Sequence, residues 1–402
     1  MTKRIIFLSQ LFDPEYSIKG LALCQHLKSQ GYEVEVVTTF PSYPTGKIFD
    51  GFRNRLKNTE FEGDIKVTRL WSYVTDRKGK LSRAINYFSF FLTSFSYLLF
   101  CKKADVIYAY HPQITTGVSA GFIKYIRRTP FITDIQDLWP ESLIVEGASA
   151  DSLVSRVIRR MVNFSLRNAS KIVVLSNGFK NYLVEHRVEE SKINVIYNWC
   201  PEEKRYLEVT PESSSERDKE QKTFLYTGNH GPLQSLEHVV KAFALVPPEL
   251  AQFILVGQGT EKSKLQALVK DLNIQNVTFK DFVSPQELVG LVRDADVMVC
   301  HLRNDPLFDI TIPSKVQAYL CSGKPILIAT GDEASELVKR AKAGLSAESE
   351  NAESIACTIK RFTNMSEDEL NQMGRSGQEF YRRELQQSHG FQSVTRAIEE
   401  CL

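Results

Sequence analysis

The 402 residues are 43% hydrophobic and 24% charged, with 21 glycines and 15 prolines, a composition that excludes collagen, coiled coil and wholesale disorder. That length exceeds what one hydrophobic core usually serves, so two domains are expected. The formal net charge of +2 conceals an imbalance: residues 1–200 carry 27 Lys and Arg against 18 Asp and Glu, and the remainder carry 23 against 30. A basic half and an acidic half point to two surfaces with different partners.

In chain order, Arg4–Ser9 reads as a strand. The apolar spacing over Ile18–Gln30 predicts a helix that Gly31 ends, and Glu33–Thr39 is a strand again. This βαβ unit implies a parallel sheet. Further strands are expected at Lys66–Trp71, Lys103–Ala109, Pro130–Asp134 and Lys171–Leu175. A second set begins at Thr223–Thr227 and continues at Gln252–Val256, Asn276–Phe279, Val297–Cys300 and Pro325–Ala329. Between the sets, Pro201–Lys222 is rich in Glu, Ser and Lys and reads as a linker. The expected architecture is α/β: two tandem doubly wound domains over residues 1–205 and 206–379, with a C-terminal helix over about 380–402 that can pack back on the first domain. The initial apolar run is too short for a signal peptide. Seven cysteines without a CxxC pair read as reduced, mostly buried thiols of a cytosolic protein.

Ala84–Cys101 carries no charge over 18 residues. Asn86, Ser89, Thr93 and Ser96 recur at 3, 4 and 3 residues and so form one polar stripe on a helix. Phe88, Phe91 and Phe95 lie on the broad remainder, and Lys102 and Lys103 follow. Three readings fit: a helix buried between strands, an amphipathic helix lying on an anionic membrane surface, or a membrane span. The span is disfavoured because it would separate flanking strands of one domain.

Two glycine-bearing turns, Thr227–Gly231 and the one at Gly257, follow strands and offer free backbone N–H groups to a phosphate. Neither is a Walker loop or a dinucleotide fingerprint. Thr311, Ser314 and Lys315 belong to Ile310–Lys315, which opens a helix. Lysine is unfavourable at that positive end unless an anion sits there, and Arg303 could assist. In the first half, Asp134, Asp137 and Glu141 stand past a strand end with Trp139, where α/β active sites form; His111 emerges on the same edge. Asp294-Ala-Asp296 mimics a metal-binding pair but reads as a helix end, so no metal is expected.

Taken in order, Phe40–Ile48, Asp134–Ser142, Asn198–Pro201, Tyr226–Gly231 and Thr311–Pro325 resemble the GT-B retaining glycosyltransferases of family 4, over nearly the whole chain. Within that family they are most similar to bacterial surface-polysaccharide transferases of the WbuB (N-acetyl-L-fucosamine transferase) type. The resemblance implies two Rossmann-like domains facing a cleft. A nucleotide-sugar donor, expected to be UDP-linked, would be held by Gly228, Asn229, Gly257, Phe282, Val283, Arg303, Thr311, Ser314 and Lys315. An undecaprenyl-diphosphate-linked glycan acceptor would meet Lys19, Gly20, Tyr43 and Glu141, with Asp137, His111 and Lys315 in catalytic roles. The nucleotide sugar is then a co-substrate, no cofactor is expected, and nucleic acid is not a partner. The chain departs from the family at three places: Ile310 and Ala318 occupy the two Glu positions of the donor motif, with Asp309 adjacent; Asn229 and Gln234 replace an Arg and a Lys; and Gln136-Asp137 replaces His-Asp. The expected product is O-antigen or capsule, made on the inner face of the cell membrane with the aromatic helix and Lys102 and Lys103 touching the bilayer. The alternatives are a nucleotide-sugar 2-epimerase of similar architecture and a non-catalytic membrane scaffold.

Overall fold

The computed structural model describes residues 2–76, 79–110, 113–207 and 221–402. Contacts divide the chain into two units, Met1–Tyr197 with Ser388–Leu402, and Asn198–Gln387. Most of the expected linker, residues 208–220, lies outside the described residues, as does His111.

Strands of the first unit are β1 (Arg4–Leu8), β2 (Glu33–Thr39), β3 (Lys57–Glu62), β4 (Ile65–Leu70), β5 (Val106–Tyr110), β6 (Phe131–Ile135), β7 (Lys171–Val174) and β8 (Ile193–Val195). They lie in the order β3-β4-β2-β1-β5-β6-β7-β8. All pairs are parallel except β3 with β4, which run antiparallel through the left-handed Gly63. Every residue of β1, β5 and β6 is buried, because a parallel sheet is covered on both faces and its strands read as continuous apolar runs. Phe7, Tyr108, Leu23 and Leu27 anchor the core, and Val394, Ala397 and Ile398 of the C-terminal helix Gln387–Glu399 belong to the same cluster.

The second unit holds β9 (Lys222–Thr227), β10 (Ala251–Val256), β11 (Val277–Lys280), β12 (Val297–His301), β13 (Ile326–Ala329) and β14 (Gly344–Ser346), in the order β11-β10-β9-β12-β13-β14 and all parallel. In each sheet the strand order reverses direction at one place: beside β1 and β5 in the first, beside β9 and β12 in the second. Open α/β sheets bind ligands at such a switch point, past the carboxyl ends of the strands. All seven cysteines are free.

The aromatic segment forms the helix Lys80–Phe100, and no described helix is long and apolar enough to cross a membrane. It buries both polar and apolar residues, among them Phe90 and Leu98. The polar stripe faces the domain: Asn86 donates to the Tyr73 carbonyl at 2.7 Å, Ser89 accepts from the Tyr73 N–H at 2.8 Å, and Thr93 donates to the Trp71 carbonyl at 2.9 Å. Phe88 (59% exposed), Leu92 and Phe100 face outward. Phe91 and Phe95 stack on each other and against Phe122 of the neighbouring helix Ile114–Arg127. The helix is thus neither wholly buried nor spanning. Phe90 and Leu98 are buried and Asn86, Ser89 and Thr93 bond the Trp71–Tyr73 loop, while Phe88, Leu92 and Phe100 are left open.

Candidate active site

At the switch point of the second sheet, β9 ends in Thr227 and the chain turns through Gly228 (φ +131°), beside the turn at Gly257 (φ +140°) after β10. A Cβ on Gly257 would lie 2.0 Å from the Gly228 carbonyl oxygen, so both turns require glycine to stack so closely. Lys262 staples the second turn. Its ammonium donates to the Gly257 carbonyl at 2.9 Å, the Lys280 carbonyl at 3.2 Å and the Asp281 carboxylate at 2.6 Å. Past β12, the Arg303 N–H donates to the Leu233 carbonyl at 3.0 Å, which ties the two strand exits together.

Facing these turns is the helix Ser314–Ser322, whose N-cap is Pro313 and whose first turn has no side-chain cap. The Val316 N–H returns to the Pro313 carbonyl at 2.9 Å, which leaves those of Ser314 and Lys315 for an acceptor. Tyr319 holds the helix against β9 by bonding the Thr227 N–H at 3.2 Å. Lys315 donates to the Tyr226 hydroxyl at 2.7 Å and lies 4.0 Å from that ring's centre. A Cβ on Gly228 would stand 3.2 Å from its Nζ. Desolvation lowers its pKa to about 8, and no Asp or Glu of the described residues pairs with it to offset the cost. An ammonium at the positive end of a helix is electrostatically unfavourable unless an anion offsets it.

The other expected donor contacts divide. Ser314 and Asn229 are exposed beside Lys315, and Phe282 is 82% exposed past β11 with Val283 next to it. Thr311 spends its hydroxyl on the Leu307 carbonyl at 2.6 Å, and Arg303 pairs with Asp305 at 3.2 Å, so its charge is shared before any ligand arrives. Asn229 and the Gly231 N–H both donate to Gln234. These residues therefore stabilise the turn where charged ones were expected by resemblance. Desolvation raises the Asp309 pKa, and Asp332 and Asp305 add to the rise. Asp296 accepts the Thr223 N–H at 2.7 Å, the structural role expected for that acidic pair.

Sequence reasoning missed Tyr226, His230, Lys262 and the pair His301–Glu350. His301 donates from Nδ1 to the Gln234 carbonyl at 2.7 Å and accepts the Glu350 N–H at Nε2 at 3.1 Å, which fixes its tautomer. Glu350 in turn accepts from Ser235 at 2.7 Å and from the Asn304 N–H at 2.9 Å. Desolvation holds His301 neutral, with its pKa near 4. His230 is fully buried against the Val256 backbone. Desolvation, then Lys262 and Lys315, push its pKa down to about 4.

In the first unit Asp137 and Glu141 line one pocket, and Asp134 stands apart from them. Asp134 is fully buried and accepts from Lys19, Tyr108 and Gln136. Lys19 is fully buried with it, which corrects its expected role: the ammonium neutralises Asp134 instead of meeting an acceptor. Gly20 leaves room for Asp13, whose carboxylate takes the Leu21 N–H at 2.8 Å; a Cβ there would lie 2.4 Å from that oxygen. Tyr43 is 58% exposed, and its N–H and that of Ser42 both donate to buried Glu15 at 2.7 Å. Asp137 is exposed as a residue, yet desolvation of its carboxyl, aided by the Glu146 charge, raises its pKa to about 6. Glu141 lies 3.7 Å from Arg159 and bonds Tyr182.

Comparison with known proteins gives this geometry a context. The chain is 25% identical over 328 residues to the putative colanic acid biosynthesis glycosyl transferase WcaI of Escherichia coli (strain K12), covering 78% of this chain and 79% of that one. Its fold matches sucrose-phosphate synthase from Thermosynechococcus elongatus (TM-score 0.71, 16% identity, 99% and 98% of the chains). It also matches Anabaena HepE in complex with UDP-glucose (TM-score 0.67, 16% identity, 98% and 99%). These resemblances do not favour the epimerase or scaffold alternatives. Residues 21–199 match the family described as glycosyl transferase 4-like domain, and residues 211–380 match glycosyl transferases group 1. The chain is a GT-B glycosyltransferase of group 1, built from these two Rossmann-like domains.

Proposed function

We propose that the chain moves a sugar, with retention of configuration, from a nucleotide-diphosphate donor to a lipid-linked glycan during assembly of a bacterial surface polysaccharide such as O-antigen or capsule. The observation that carries this reading is Lys315, an ammonium without a carboxylate partner at the open start of a helix beside two glycine turns. Those groups would take the charge that develops on the departing diphosphate, and the donor would be in place without a resident metal. A UDP-linked donor, N-acetylated or deoxygenated as in WbuB-type transferases, suits the likeness to HepE, which was solved with UDP-glucose. The polysaccharide role suits the likeness to WcaI. In the first unit, Asp137 would orient the acceptor hydroxyl or support positive charge on the sugar.

The acceptor would be undecaprenyl-diphosphate-linked, at the inner face of the membrane. Three helices of the first unit support this: Lys80–Phe100, Ile114–Arg127 and Leu153–Asn168. They expose Phe88, Leu92, Phe100, Tyr125, Leu153 and Val154, among Arg83, Arg156 and Arg160, which are also exposed. Apolar side chains interspersed with arginine suit an anionic bilayer surface. Lys103 is exposed beside them, whereas Lys102 pairs with Glu33 at 2.9 Å. The test is Lys315→Ala. Transfer from the donor falls about 10²–10³-fold with the fold intact, and undiminished transfer would sink the assignment.

A further inference from the structure

Past the carboxyl ends of the second sheet, two residues that bear side chains stand in the left-handed region: Ser235 (φ +44°) after β9 and Glu350 (φ +57°) after β14. Such backbone costs free energy in a residue with a Cβ, and it persists where the surroundings fix it. Here the two side chains fix each other: the Ser235 hydroxyl donates to one carboxylate oxygen of Glu350 at 2.7 Å. The other oxygen accepts the Asn304 N–H at 2.9 Å, and the Glu350 N–H donates to Nε2 of His301 at 3.1 Å. One residue thus joins the loops that leave β9, β12 and β14.

These bonds enclose Arg303. Its own N–H donates to the Leu233 carbonyl at 3.0 Å, and the Leu302 N–H donates to the Ala329 carbonyl at 3.1 Å. The Leu302 carbonyl accepts from the Ser349 hydroxyl, and Asn304 is held by Glu350. The backbone on both sides of Arg303 is therefore held. Its side chain is 33% exposed and meets Asp305 through one nitrogen at 3.2 Å. That single bond uses one of five N–H donors, so the guanidinium can turn to a second acceptor without moving the chain. A loop left free would lose its conformational entropy at the moment of binding. We infer that Glu350 is a positioning residue, which holds the backbone of Arg303 so that the guanidinium reaches the donor's diphosphate. The inference rests on the reading of the second unit as the donor domain.

Calorimetric titration of UDP, with amide hydrogen exchange, tests it on the full chain. Glu350→Gly removes the carboxylate and also the cost of a Cβ at positive φ. The melting temperature should stay within about 3 °C of wild type, while UDP affinity falls about tenfold and exchange at Leu302–Asn304 rises. Glu350→Gln keeps both side-chain bonds, its amide oxygen accepting from Asn304 and its NH₂ donating to Ser235, so affinity returns to within about twofold of wild type. Adding Ser235→Ala to Glu350→Gly lowers affinity no further, because those two side chains act through one bond. Affinity in Glu350→Gly equal to wild type, or a loss that Glu350→Gln does not restore, would overturn the proposal. If the wild type itself binds no UDP, the donor reading of the preceding section fails, and exchange decides the rest. A rise at Leu302–Asn304 in Glu350→Gly then upholds the hold on Arg303, and unchanged exchange overturns it.

Discussion

The strand ends of the two units handle charge in opposite ways. In the first, Lys19 and Asp134 neutralise each other in complete burial, with Tyr108 and Gln136 completing the carboxylate's hydrogen bonds. In the second, Lys315 is desolvated against Tyr226 and meets no carboxylate. A satisfied buried pair fixes a loop and has nothing left to offer a substrate; an uncompensated ammonium is poised for one. On the proposed reading, an acidic half would accommodate an anion through local charge, one lysine and the N–H groups of Ser314 and Lys315.

Breaking the satisfied pair should have the largest effect. Lys19→Met leaves Asp134 charged and buried without its counter-ion, so stability falls by about 3–5 kcal/mol, seen as an earlier denaturant midpoint. A melt unchanged from wild type would mean the pair contributes little. The apolar helix face comes next. Phe88, Leu92 and Phe100 replaced together by serine withdraw three side chains from any bilayer, each worth of order 1 kcal/mol at an interface. Co-sedimentation with anionic vesicles should drop about a hundredfold while UDP affinity stays the same, and unchanged partition would leave this face without a lipid partner.

The pH profile sharpens the comparison with a smaller effect. Asp137 titrates near 6 and Lys315 near 8. On the proposed roles, transfer would need the carboxylate ionised and the ammonium protonated, so activity should fall as pH drops through about 6 and again as it rises through about 8, giving a bell. Lys315→Arg should remove only the alkaline limb, because guanidinium stays charged. A wild-type profile flat across both values would remove these two residues from the reaction.

Much of this was legible in the sequence because both sheets are almost wholly parallel and buried, so β1, β5, β9 and β10 read as short apolar or β-branched runs. The edge strand β3 does not. Its residues alternate between exposed and half-buried, and Glu60 and Glu62 face the buried Arg69 rather than solvent. Lys315 drew notice in the sequence because it stands at the unfavourable end of a helix. The groups that shape its surroundings did not. Ser235 meets Glu350 across 115 residues and Lys262 meets Asp281 across 19, and no local pattern encodes such pairings. The helix Lys80–Phe100 misled in an instructive way. Its polar stripe was visible in the spacing, but only the loop at Trp71–Tyr73, with carbonyls and an N–H to satisfy, determines that the stripe points inward.

The central claim is that Lys315 and the open helix start hold the donor's diphosphate. Calorimetric titration of UDP into the wild type and into Lys315→Ala at pH 7 tests it most directly. The account predicts binding to the wild type that weakens as pH passes about 8, and an affinity at least about tenfold lower in the variant. Equal affinity of the two proteins for UDP would contradict it.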